Sequence, residues 1–251
     1  SGSPSWPMTA ELACLHSAEA SLVLECSPEG APLWRHLGLR VDPHGLAALG
    51  EGRAAASFSL DSDLPLSTVP PTGLGWFGPA GLSVRRGGVA CPVQFGPADV
   101  VQDEAVITIR LRDDVAGVLL EQNITLAFGG AFLFETRIEN LQGEPLAVDW
   151  LASALVPLAG QSAGLVSWRG RHNAELQECR EPMPAHRWER EGRRGISGHG
   201  GPPGVVILGE GAGHHTGLVH ALQLAWSGDS RIAIEREIGR ASCRERVSSP
   251  V

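Results

Sequence analysis

The chain has no tyrosine and no lysine; all 20 of its basic residues are arginine, against 28 acidic ones, for a net charge of -8. A negative balance of this kind excludes a nucleic-acid binder, which needs a positive field over phosphates. No stretch approaches the roughly 18 uninterrupted apolar residues that a membrane helix requires, so no membrane partner is expected. Ser1 to Pro7 lack a basic segment followed by an apolar core, so no secretory signal is read, and Met8 is a candidate natural start. The five cysteines, Cys14, Cys26, Cys91, Cys179 and Cys243, are dispersed without C-x-x-C spacing. That set is neither a disulfide framework nor a zinc site, and it fits reduced thiols in a cytoplasmic protein.

Helix signals are also scarce: outside the ambiguous stretch Met8 to Ala20, no long capped segment has a 3.6-residue period. What replaces them is alternation. Phe132, Phe134 and Ile138 fall on one face of an extended segment, with Glu135, Arg137 and Glu139 on the other. Leu120, Ile124, Leu126 and Phe128 repeat the pattern against Glu121, Asn123 and Thr125. Ser21 to Glu25, Trp34 to Val41, Ala105 to Leu111 and Leu146 to Leu158 are further predicted strands. Asp113-Asp114, Gly129-Gly130 and Gln142-Gly143-Glu144-Pro145 are predicted turns. With hydrophobic residues at 43% and charged residues at 19%, the composition is that of a folded domain. Many short strands joined by Gly/Pro turns predict an all-β chain, a large two-sheet antiparallel β-sandwich over residues 1–236. Residues 237–251 are charged and aperiodic, resemble a translated vector junction, and are expected to be non-native and loosely packed.

Few residues promise chemistry. The acidic pairs Asp61/Asp63, Asp103-Glu104 and Asp113-Asp114 sit at predicted turns, where aspartate bonds its own backbone. Ser197 and His199 form half of a nucleophile–base pair, without the strand–Ser–helix elbow or a third orienting carboxylate. Adjacent His214 and His215 cannot easily aim both rings at one ion, and with His220 they lack Cys, Asp or Glu at ligand spacing; no metal or other cofactor is expected. The loop Pro70 to Pro79 carries Trp76 and Phe77 between glycines and prolines. A flat ring on a rigid loop suits the C–H face of a sugar; the competing reading is that both rings cap the sandwich or fill a subunit contact.

Three segments of the last third give a family resemblance. They are Trp168-Arg169-Gly170-Arg171-His172-Asn173-Ala174-Glu175, Arg193-Arg194-Gly195-Ile196-Ser197-Gly198-His199 and Leu224-Ala225-Trp226-Ser227-Gly228-Asp229. In this order they resemble the end of the N-terminal β-domain of glycoside hydrolase family 36, the bacterial α-galactosidases. His172, Ile196 and Gly198 depart from the family's usual Trp, Arg/Thr and Ser. The resemblance implies the large supersandwich fold, similar to galactose mutarotase, of a retaining enzyme acting on terminal α-galactosides without a cofactor. It implies that the catalytic aspartates lie on a barrel beyond the matching region, so none is expected in this chain. Barrel packing, a homo-oligomer interface and pocket shaping are the implied tasks of the domain. Trp76 and Phe77 occupy the family's Gly-x-Gly-(Asp/Trp)-Phe loop and would shape the substrate pocket. Arg171, Glu175 and Arg180 belong to the first of these segments, and Arg171 and Glu175, four apart, read as loop braces rather than catalysts. The rival reading is a free-standing carbohydrate-binding sandwich, and mutarotase-like chemistry at His199 is a third.

Overall fold

In the computed structural model the described residues are 11–42, 65–73, 76, 78–158, 162–196, 198, 201–226 and 228–236, with the backbone of 245–250. Asp61, Asp63, Phe77, Ser197 and His199, named above, lie outside them. Among the described residues there is no helix.

The strands that alternation predicts are present. Phe132–Asn140 (β9) and Leu146–Leu158 (β10) match their predicted bounds, and Val106–Asp113 (β7) and Val118–Leu126 (β8) shift by one or two residues. The register pairs Leu120 with Ile138 and Ile124 with Phe134, so one apolar face runs across neighbouring strands. With Asp99–Gln102 (β6) these strands form a sheet in the order β6-β7-β8-β9. Met8 to Ala20, ambiguous in sequence, contains the strand Leu12–His16 (β1), paired along its length with Ala20–Glu25 (β2). Ala13 and Leu15 point into the core there, and pairing with a neighbour decides what local propensity leaves open. Leu33–Leu39 (β3) completes this three-stranded sheet.

Leu82–Arg86 (β4) and Val89–Cys91 (β5) join β10 in a larger sheet. Ser162–Arg171 (β11), Ala174–Pro182 (β12), Gly204–Gly209 (β14) and Val219–Gln223 (β15) form a fourth, in the order β12-β11-β14-β15. Arg187–Gly192 (β13), Ser230–Arg236 (β16) and Glu245–Pro250 (β17) extend the β10 sheet to β13-β16-β17-β10-β4-β5. Among the described residues the sandwich comprises four hydrogen-bonded sheets. β10 bonds β4 through residues 146–151 and β17 through 152–158, with register shifts in both pairings, and so links the two halves of one sheet. Bulges of this kind bend a strand and end one pairing where another begins. The segment 245–250, expected to be loose, is a central strand of that sheet.

One core gathers β1, β2, β4, β7 and β8, with Leu22, Leu24, Ile107, Ile109, Leu111 and Leu120 nearly inaccessible. A second gathers Val156, Leu165, Ile207, Ile232 and Ile234 from β10, β11, β14 and β16. Trp34 of β3 packs against both.

The predicted turns have visible causes. Asp113 is buried, and its carboxylate accepts the backbone N–H groups of Gln94 at 2.7 Å and of Val115 and Ala116 at 2.9 Å. Asp103 accepts the N–H of Glu104 at 2.8 Å at the β6–β7 turn. These aspartates fix backbone; they are not positioned as acids or bases.

Candidate functional site

The second and third motif segments meet at one end of the molecule. β13 pairs with β16 from Arg187↔Glu235 to Gly192↔Ser230, so the loops leaving Gly192 and entering Ser230 emerge side by side. The Gly195 N–H donates to Asp229 Oδ1 at 2.7 Å and ties them together. Arg193 Nε donates to Glu191 Oε1 at 2.8 Å, which raises the guanidinium's pKa. Glu191 and Asp229 are therefore both engaged in bracing this end.

Beneath the loop lies Arg190. Its guanidinium stands 5.4 Å from the Trp188 ring centre, and Nη1 donates to the Pro202 carbonyl at 3.2 Å. Gly201 passes so close that a Cβ there would sit 2.9 Å from the guanidinium carbon. Burial lowers the pKa of Arg190, and nearby Arg169 adds to the effect. A shallow cleft opens above, lined by Arg190, Gly192, Ile196, Gly198, Gly228 and Ile232. Ile196 and Trp226, on the two tied loops, are 68% and 45% exposed.

The first motif segment is the β11–β12 hairpin, whose β11 pairs β14 only as far as Val166. Glu175 Oε1 accepts the Asn173 N–H at 3.0 Å, and Arg180 Nη2 donates to the Ala212 carbonyl at 3.4 Å. Glu175 thus braces the turn, as read from sequence, and Arg180 ties the hairpin to a neighbouring loop. Arg171 pairs through its backbone with Ala174 across the turn. Asn173 and Leu176 adopt positive φ of 62° and 53°.

Trp76 is 9% exposed and packs with Leu66, Leu155 and Trp34. Its indole N–H donates to the Pro79 carbonyl at 3.0 Å within its own loop. In this position the ring anchors the Pro70–Pro79 loop from below. Nothing brings this loop together with the Arg193–Gly198 loop among the described contacts.

The histidines do not converge. His214 Nε2 lies 4.0 Å from Glu178 on the surface, and among the described residues no three His, Cys, Asp or Glu side chains surround a point where an ion could sit. Cys14, Cys26, Cys91 and Cys179 are free thiols, and burial raises the pKa of Cys14 and Cys26. His220 on β15 is half-buried, and desolvation lowers its pKa below the ordinary 6.5. The fold therefore favours neutral imidazole, while the unfolded chain takes up a proton near the ordinary value. The stabilisation is complete above that value and is lost as pH falls below it. The melting temperature is expected to drop between about pH 7 and pH 5, and His220→Gln to flatten the drop. An equal drop in the variant would assign it to other groups.

Sequence reasoning missed two features of this end. The Gly195–Asp229 tie was hidden because Asp229 gave no spacing signal with residues 34 positions away. The half-buried Arg190 had a usable signal, a Trp and an Arg two apart in a strand and so on one face.

Comparison with known proteins agrees with this layout. The sequence profile of the Glycosyl hydrolase family 36 N-terminal domain matches residues 30–242. An α-galactosidase of Escherichia coli is 27% identical over 222 residues, covering 88% of this chain and 31% of that protein. A family 36 α-galactosidase of Geobacillus stearothermophilus, solved in complex with stachyose, superposes with a TM-score of 0.80 at 22% identity, over 95% of this chain and 37% of that one. The α-galactosidase of Lactobacillus brevis gives 0.77 at 16% identity, over 95% and 36%. The chain thus spans about a third of the length of the relatives it matches. Matched over most of its length, it belongs to the glycosyl hydrolase family 36 N-terminal domain family.

Proposed function

We propose that this chain is the non-catalytic β-sandwich domain of a cytoplasmic retaining α-galactosidase acting on terminal α-galactosides. Its tasks are to pack on the catalytic barrel, to supply part of a homo-oligomer interface and to shape the sugar pocket. The observation that carries the reading is the end where the Arg193–Gly198 and Trp226–Asp229 loops are tied, with Ile196 and Trp226 presented outward. We assign barrel packing to this surface. The Pro70–Pro79 loop shapes the pocket, with Trp76 as its buried anchor; Phe77, next in sequence, is read with it as a pocket residue.

The free-standing sugar-binding module gains no support from Trp76, whose ring is covered and whose N–H is already bonded. Titrating the chain with galactose or raffinose separates the two readings. The domain reading expects no saturable binding and no release of galactose from an α-galactoside. Saturable binding that Trp76→Ala abolishes would replace it with the module, and hydrolysis by this chain would end it.

A further inference from the structure

We infer that the cleft over Arg190 is a carboxylate-binding site, and that its occupant is the aspartate or glutamate side chain of a polypeptide segment packed across this end. The identity of the segment rests on the barrel packing proposed for this surface, whereas the site stands on the chain's own residues.

Arg190 is a cation short of a counter-charge. The carboxylates around it are committed elsewhere: Glu181 Oε1 accepts from Arg169 at 3.0 Å and Oε2 from the Trp188 indole at 3.2 Å. Glu191 pairs with Arg193 and Glu189 with Arg187. Among the described residues no carboxylate forms an ion pair with Arg190. Burial disfavours its charged form, and Arg169 adds repulsion. A guanidinium does not shed its proton in answer, so the missing counter-charge is a cost that a bound anion relieves.

The open part of the guanidinium faces the cleft. Nη1 donates to the Pro202 carbonyl, and a Cβ on Gly201 would stand 2.9 Å from both Cζ and Nε, so the Gly201 backbone covers that part. Nη2 donates to no described group, and Arg190 lines the cleft with Gly192, Gly198, Gly228, Ile196 and Ile232. A volume of about 40 Å³ admits roughly two or three heavy atoms, the size of a carboxylate and small for a phosphoryl group or a sugar ring. A Cβ on Gly228 would stand 2.6 Å from Trp226 Nε1, which places the indole N–H at the rim. It too donates to no described group. An arginine edge with a second donor beside it matches the charge and the paired oxygens of a carboxylate. The stem of the ligand stays outside, against the exposed Ile196 and Trp226, where the apolar part of a packed side chain belongs.

Nuclear magnetic resonance of the isotope-labelled chain, titrated with sodium acetate against sodium chloride at constant ionic strength, tests the site. The amides of Gly192, Gly198, Gly201 and Gly228 should shift saturably, with half-saturation at about 10 mM. Acetamide, of the same shape without the charge, should leave them unmoved. Arg190→Gln should abolish the response, and Arg190→Lys should weaken it at least about 5-fold, because an ammonium lacks the planar fork. The β7 and β8 amides in the same spectra report whether each variant is folded. No acetate response in the unaltered chain, or an equal one in Arg190→Gln or with acetamide, overturns the site. Tighter binding of inorganic phosphate than of acetate would overturn the carboxylate assignment. N-acetyl-aspartyl methylamide, a side-chain carboxylate carrying its own backbone, should bind at least as tightly as acetate; a need for about 10-fold more would assign the cleft to a free acid instead of a packed segment. Failure here removes the site and leaves the domain reading to the galactose and raffinose titrations.

Discussion

Trp34→Ala is expected to lower the unfolding free energy by about 3–5 kcal/mol. Trp34 is the side chain on which three separate apolar groupings converge: the core under β7 and β8, the core between β10 and β16, and the small cluster of Leu66, Trp76 and Leu155. Its indole N–H donates to the Leu155 carbonyl at 2.9 Å, and its ring meets Phe134 at 6.2 Å between centres. Truncation empties a volume bounded by several sheets, and these cannot all close on it at once. Against a typical domain stability of about 5–15 kcal/mol, that is a large share. Trp34→Phe keeps most of the volume but leaves the Leu155 carbonyl without its donor, at a cost of about 1–2 kcal/mol. Urea unfolding followed by circular dichroism checks both values. A loss below about 1 kcal/mol for the alanine variant would mean that the groupings do not depend on this ring.

What the sequence makes legible here is what period-2 alternation encodes. β9 and β10 come out with their full bounds because each begins after a Gly- or Pro-containing turn. The turn at Asp113 is legible because aspartate bonds its own backbone, and the carboxylate is found doing so twice, at Val115 and Ala116. The handover along β10, from β4 to β17, is not legible, since alternation does not mark its register shifts. The strand 245–250 is not legible because its sequence, Glu-Arg-Val-Ser-Ser-Pro, has no apolar alternation. At the candidate site, the motifs carry the family and the bracing role of Glu175. They do not reveal that Trp76 is an anchor, because a buried ring and a presented ring on a Gly/Pro loop are the same letters.

The first motif shows what such letters hold in place, and substituting its glycine should have the second large effect. In Trp168-Arg169-Gly170-Arg171, Gly170 faces the backbone of the opposite strand at the bulge of the hairpin. A Cβ there would lie 2.6 Å from the Glu175 Cα, 2.8 Å from the Ala174 carbonyl oxygen and 3.0 Å from the Leu176 nitrogen. All three are main-chain atoms, so no side chain can rotate away, and the two strands must part. Gly170→Ala is expected to cost about 2 kcal/mol and Gly170→Val about 3 kcal/mol. The loss should be local: exchange at Ala174 to Glu178 should speed up, while that of β7 and β8 stays unchanged. Leu176 offers a control, since it holds a φ of 53° with its side chain 66% exposed. A left-handed leucine costs about 1–2 kcal/mol, so Leu176→Gly should be neutral or slightly stabilising despite removing an apolar side chain. Stability lost in the leucine variant and retained in Gly170→Ala would reverse the assignment, making the exposed side chain the structural element and the glycine incidental.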